Sequence, residues 1–142
     1  MPFCLDFQCN LYYSTLVTLA SVEHTLLNTT KEKYTLKELR ERIRTLVHAG
    51  RYRTKIHAVR HMIEEGFTEK DVVSVLAGDS KILESYEEDN RCLIYGHFTM
   101  EGDVRLPLHI ICDYSNKKLI DVVTAYIPQK PWWITPTRRG LK

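Results

Sequence analysis

The chain has 142 residues, 44% of them hydrophobic and 27% charged, with a formal net charge of +2. That is the size and balance of one compact domain with its own core, and it excludes a disordered, collagen-like or repeat polypeptide. Charge is uneven: Arg40 to Arg60 holds seven Lys or Arg against one acid, Glu64 to Asp89 holds nine acids against two bases, and Gln129 to Lys142 holds four bases and no acid. Two basic segments split by an acidic one predict a basic face for a polyanion if the fold joins them; the alternative is an ordinary solvated surface.

Residues 1–33 carry Cys4, Cys9 and polar Ser/Thr clusters, with a weak helical pattern in Leu16, Leu19 and Leu26. They read as a loosely packed extension or as sequence upstream of a mis-assigned start, the second favoured, and no function is placed there. Leu11 to Val22 lacks the basic region and cleavage site of a signal peptide. Residues 34–128 are expected to form a single domain, followed by a tail over 129–142.

Thr35 and Glu38 form a capping box that opens the first helix. Leu36, Leu39, Ile43, Leu46 and Val47 follow at helical spacing, and Gly50 ends it. A short basic strand, Tyr52 to Ile56, leads into a second helix from about His57 to Glu65, closed by Gly66. A second capping box, Thr68 with Asp71, opens a third helix that buries Val72, Val75 and Leu76 and stops at Gly78.

The second half is strand-rich. Runs at Lys81–Tyr86, Arg91–Thr99, Arg105–Asp113 and Leu119–Ile127 are separated by short turn clusters, which favour antiparallel hairpins. The fold class is therefore α+β, with N-terminal helices on one face of a twisted, mainly antiparallel four- to five-stranded sheet. Gly96 marks a bulge or a close approach. The proline-rich tail Lys130–Arg139 is expected to be neither strand nor helix.

On the second helix His57, Arg60 and His61 stand at i, i+3 and i+4 and form one surface cluster. His57 also sits at the helix N-terminus, where the dipole and free N–H groups favour an anion. Such a cluster suits phosphodiester chemistry or plain phosphate binding; the bland reading makes His57 a cap and leaves Arg60 and His61 solvated. Period-two alternation sets His109 with Pro107 and Ile111, and it sets Thr124 and Tyr126 with Ile120 and Val122 on the neighbouring strand. A histidine within an apolar strand is more often a satisfied core group than a catalyst. Arg91 opens the strand that carries Gly96.

The four cysteines (Cys92 and Cys112 are the other two) make no CxxC pair and no zinc spacing, so a reducing cytoplasm fits. No metal site, P-loop, dinucleotide turn or serine elbow is present, and no cofactor or membrane span is expected. The acids from Glu84 to Asp89 look like a solvated hairpin end.

The order helix, basic strand, His57-Ala-x-Arg60 helix, Gly66-Phe-Thr-x-x-Asp-Val helix, Arg91…Gly96, Leu106-Pro-Leu-His109-Ile and Val123-Thr-Ala-Tyr126 resembles a small bacterial and archaeal family of unknown function. That family is similar in layout to the RelE, BrnT and MqsR type ribonuclease toxins. Tyr126, Pro128, Trp132 or Trp133, Arg138 and Arg139 match the tail with which its members often end. The resemblance covers about residues 36–139 and implies a RelE-like toxin of a toxin–antitoxin pair, a metal-independent endoribonuclease acting in the cytoplasm on RNA. It implies as partner a zinc-finger antitoxin of the MqsA or YgiT type. The chemistry would be attack of a ribose 2′-hydroxyl on its own phosphate. His57 and His109 would be the acid–base pair, in either order, and Arg60 and Arg91 would hold the phosphate. Thr124 and Tyr126 would orient the phosphate or share in proton transfer. Arg51, Arg53, Lys55 and His61 would bind RNA, a Trp would stack a base, and Arg138 and Arg139 would follow the backbone. A non-catalytic RNA- or protein-binding module is the alternative, and the tail Trp could equally pack over the sheet.

Overall fold

In a computed structural model of the chain, residues 33–140 are described; the weak helical pattern and the two cysteines read before them lie outside that range. The described residues form three α-helices, α1 (Leu36–His48), α2 (Ile56–Glu65) and α3 (Glu69–Ala77), and seven strands. The strands are β1 (Tyr52–Thr54), β2 (Lys81–Tyr86), β3 (Arg91–Met100), β4 (Val104–Asp113), β5 (Ile120–Tyr126), β6 (Trp133–Thr135) and β7 (Arg138–Arg139). No described helix is long and apolar enough to cross a membrane.

Both capping boxes form as the sequence predicts: Thr35 with Glu38 starts α1, and Thr68 with Asp71 starts α3. Gly66 ends α2 in the left-handed conformation, which costs a residue without Cβ little. The main sheet runs β1-β5-β4-β3-β2. Its three hairpin-related pairs are antiparallel, and β1 joins β5 in parallel, Tyr52 opposite Ile120. The fold is thus α+β, with a mainly antiparallel five-stranded sheet.

One face of the sheet carries the main core. Leu39, Ile43 and Val47 of α1, Ala58 and Met62 of α2, and Val72, Val75 and Leu76 of α3 pack on Cys92, Ile94, Leu108, Ile110, Cys112, Val122 and Ala125. Gly96 lets α3 approach: a Cβ there would sit 2.6 Å from Val75 Cγ1. Pairing runs unbroken through Gly96 opposite Leu108, so the glycine marks a close approach and not a bulge.

One bulge lies in β2, where Leu83 is the extra residue, and another in β5. His109 faces Tyr126, Ile110 faces Ala125 and Ile111 faces Thr124, but Cys112 faces Val122, leaving Val123 as the extra residue. The expected single face of Ile120, Val122, Thr124 and Tyr126 is therefore split. Ile120, Val122 and Ala125 join the helix-side core, while Thr124 and Tyr126 turn to the other side with His109.

The cationic segment is largely spent on bracing. Arg40, buried, donates to the carbonyls of Ser80 and Gly78; Arg42 donates to those of Tyr114 and Asn116; Arg44 donates to Gly78 and pairs with Glu41. These long side chains tie α1 to the α3–β2 and β4–β5 turns.

Candidate functional site

The sheet face opposite the helices holds a second, aromatic cluster around His109. The tail is a strap across it, and the expectation that this tail forms no strand is corrected: β6 and β7 pair as a small hairpin, Trp133 opposite Arg139. The hairpin is closed at its neck by Trp133 N–H to the Gln129 carbonyl (3.0 Å) and Gly140 N–H to the Trp132 carbonyl (2.8 Å). Backbone pairing within seven residues accommodates the prolines, because Pro131 and Pro136 fall outside both strands.

His109 is 0% exposed. Its ring meets Trp133 edge-on at 4.4 Å between centroids, Tyr126 at 5.3 Å and Tyr95 at 5.9 Å. Nε2 lies 2.6 Å from the Pro136 carbonyl and Nδ1 lies 3.3 Å from the Tyr126 hydroxyl. A carbonyl only accepts, so Nε2 carries the proton, Nδ1 is the bare nitrogen, and the Tyr126 hydroxyl donates to it. Burial holds the imidazole below its ordinary pKa against the pull of the Pro136 carbonyl and of Glu84. Burial likewise pushes the Tyr126 phenol up.

Beside His109 the strap is pinned by charge. Arg139 donates through Nε and Nη2 to the two Glu84 carboxylate oxygens, both at 2.7 Å, and through Nη2 to the Tyr86 hydroxyl at 3.2 Å. Tyr86 also donates to Glu84. The fork lowers the Glu84 pKa and raises that of Arg139. The Arg139 guanidinium stands 4.7 Å over the Trp133 ring.

Between strap and α2 opens a cleft of about 440 Å³, lined by His61, Glu65, Tyr126, Ile127, Gln129, Trp132, Trp133 and Arg139. Glu65 is fixed there because its Oε2 accepts the Ile127 N–H at 2.9 Å, and its Oε1 lies 3.9 Å from His61 Nδ1. The His61 and Tyr126 rings are 6.4 Å apart. Trp132 is 76% exposed on the rim whereas Trp133 is 4% exposed beneath it.

Of the candidate residues, His61, Tyr126, Trp132 and Arg139 come together in the cleft and His109 stands behind Tyr126. Thr124 shares the Tyr126 side of β5 but faces Ile111. His57 and Arg60 are exposed on the early turns of α2 with no hydrogen bond or ion pair among the described residues. His57 lies one turn before His61 and does not line the cleft. Arg91 sits four strand residues from the Tyr95–His109 pair, about 13 Å along the sheet, near Asp113 at 3.6 Å. Arg53 makes a two-pronged pair with Asp121 (2.8 and 3.0 Å), with Lys55 nearby at 3.8 Å. Arg51 and Arg138 are exposed.

Sequence reasoning missed Glu84, Tyr86, Glu65 and Tyr95. Glu84 belongs to the site and not to the solvated end of the hairpin, because alternation along β2 points it and Tyr86 toward the strap, while Glu87–Asp89 form the 3-10 turn. No group of three His, Cys, Asp or Glu that could hold a metal ion occurs among the described residues.

The fold and site define an α+β domain with helices on one face of a mainly antiparallel sheet and a strapped histidine–tyrosine centre on the other. Its sequence matches the family DUF4258, a domain of unknown function, over residues 55–127, and the chain belongs to that family. The match runs from the start of α2 through β5 and ends before the strap. Neither the curated proteins nor the solved structures compared with this chain gave a match.

Proposed function

We propose that this domain is a metal-independent endoribonuclease of the toxin type, with the His61–Tyr126 cleft as its active centre. The observation that carries this reading is the convergence on one cleft of an imidazole, a carboxylate, a phenol, a guanidinium and an exposed indole. The layout similar to the RelE, BrnT and MqsR type toxins supports it as analogy. It brings with it a zinc-finger antitoxin as the cognate partner.

In this reading Trp132 stacks a base and Arg139 holds the scissile phosphate. Tyr126 takes the 2′-hydroxyl proton as its own passes to Nδ1 of His109, and Glu84 balances the resulting imidazolium. His61, next to Glu65, gives a proton to the leaving 5′-oxygen. The products are a 2′,3′-cyclic phosphate and a free 5′-hydroxyl. His57, Arg60 and Arg51 guide the incoming strand, and Arg91 and Thr124 act on RNA outside the reacting phosphate.

The alternative, a binding module that holds RNA or a protein without cutting it, draws on one observation. Both His109 nitrogens and the Arg139 fork are already occupied. Incubating a mixed RNA in EDTA with the parent and with folded His61→Ala and His57→Ala variants separates the two. Cyclic-phosphate ends from the parent, greatly reduced by His61→Ala and moderately by His57→Ala, support the nuclease. RNA bound but intact in every sample supports the module.

A further inference from the structure

The strap is held to itself by its own backbone and to the sheet by a small set of side-chain contacts. Its neck is tight: a Cβ on Gly140 would fall 1.8 Å from the Pro131 carbonyl, so the ends of the hairpin touch and the hairpin is a self-contained unit. Its polar ties to the sheet among the described residues include Arg139 on Glu84 and Tyr86, the Pro136 carbonyl on His109, and the Trp133 side chain on the Tyr126 phenol. The apolar tie is Trp133, standing on the His109 ring.

Two features of this closure have the geometry of substitution. A carboxylate gripped by the two N–H groups along one edge of a guanidinium presents two oxygens where a phosphodiester presents its two non-bridging oxygens. The buried indole, Trp133, directly follows the exposed one, Trp132, that rims the cleft. We propose that the Trp133–Arg139 hairpin is a self-occupied strap. Glu84 fills the Arg139 fork in the resting protein, and a phosphodiester of single-stranded RNA displaces it, lifting Trp133 and the Pro136 carbonyl off His109. This rests on the ribonucleic-acid reading above and adds to it how the centre is kept shut. With the strap lifted, His109 loses its Nε2 partner and gains solvent, and Tyr126 opens fully to the cleft.

The chain has two tryptophans, so Trp132→Phe leaves Trp133 as the reporter of the strap. In that background acrylamide quenching of Trp133 is measured alone, with saturating 2′-O-methyl RNA, and with Glu84→Gln added. Binding of the strand is followed separately, in the parent and in Glu84→Gln with Trp132 intact, by anisotropy of a labelled copy. The strap predicts slow quenching of the resting protein, rising about threefold or more in Glu84→Gln and with the strand bound. It also predicts about tenfold tighter strand binding by Glu84→Gln, since the open fraction sets apparent affinity. Circular dichroism and melting confirm that the variants are folded, and the exchange Glu84→Arg with Arg139→Glu should restore protection. Strand binding with Trp133 still protected overturns the strap while leaving the ribonucleic-acid reading in place. Failure of the strand to bind either protein overturns that reading, and this occupant with it.

Discussion

His109 and Tyr126 face each other in register across β4 and β5, with the phenol donating to Nδ1 while the opposite ring nitrogen donates to the Pro136 carbonyl. One backbone carbonyl of the strap thereby sets the tautomer of a buried imidazole. Nitrogen NMR of the histidine rings should show His109 neutral and protonated on Nε2 at pH 7. Gly140→Ala, which forces the strap neck apart without touching any titrating group, should blur that assignment.

The same burial gives stability a pH dependence. The folded His109 pKa lies below the ordinary value of 6.5, so as pH falls below that value the unfolded chain takes up a proton that the folded one refuses. Stability present above pH 6.5 is lost as pH drops toward the depressed folded value. Glu84 adds a second loss at lower pH, through its own lowered pKa, as its pairing with Arg139 fails. Urea melts from pH 8 to about pH 3 should show a midpoint falling in both windows; His109→Gln should shrink the upper one, the remainder coming from His97, which burial also holds below its ordinary value.

Gly96→Ala tests the contact between α3 and β3. The added methyl would meet Val75 Cγ1 at 2.6 Å and Ser80 Cβ at 3.0 Å, and overpacking of this kind costs about 1–3 kcal/mol. Thermal melting should fall accordingly, and Val75→Ala in the same chain should recover part of the loss.

Arg40→Met keeps the aliphatic stem and deletes the donors that satisfy the Ser80 and Gly78 carbonyls. A loss of about 1–3 kcal/mol is expected, because the Ser80 carbonyl loses its donor while the Gly78 carbonyl keeps Arg44. Equilibrium unfolding reads it directly.

Cys92 and Cys112 are buried and face each other across β3 and β4. Burial pushes the Cys92 thiol up to about 12 and the Cys112 thiol up as well. Peptide mapping after alkylation of the native protein at pH 8 should find both unmodified, and both modified in urea.

The helices and the four long strands were legible because their signals are local. Thr35 with Glu38, Thr68 with Asp71, and the period of Leu39, Ile43 and Val47 each act within one or two turns. The Val123 bulge was not legible, since Val122-Val123-Thr124-Ala125 suits a strand in either phase and only pairing with Ile111 and Cys112 decides it. Arg139 could be read as a nucleic-acid contact and Glu84 as solvated because 55 positions separate them and nothing local in either segment signals the pair. His109 was visible as an anomaly in an apolar strand, but the strap that covers it begins 20 residues later. Histidine spacing on α2 found His61; its neighbour Glu65 is marked only by the Ile127 N–H that fixes it.

The most direct test of the account is the single-turnover rate at which purified protein cuts a single-stranded RNA in EDTA, compared between the parent and Tyr126→Phe. The phenylalanine keeps the ring against His109 and removes the hydroxyl alone. Cleavage by the parent with 2′,3′-cyclic phosphate ends is expected, with a loss of about 100-fold or more in the variant. Equal rates in the two proteins, or RNA bound by both and cut by neither, would contradict it.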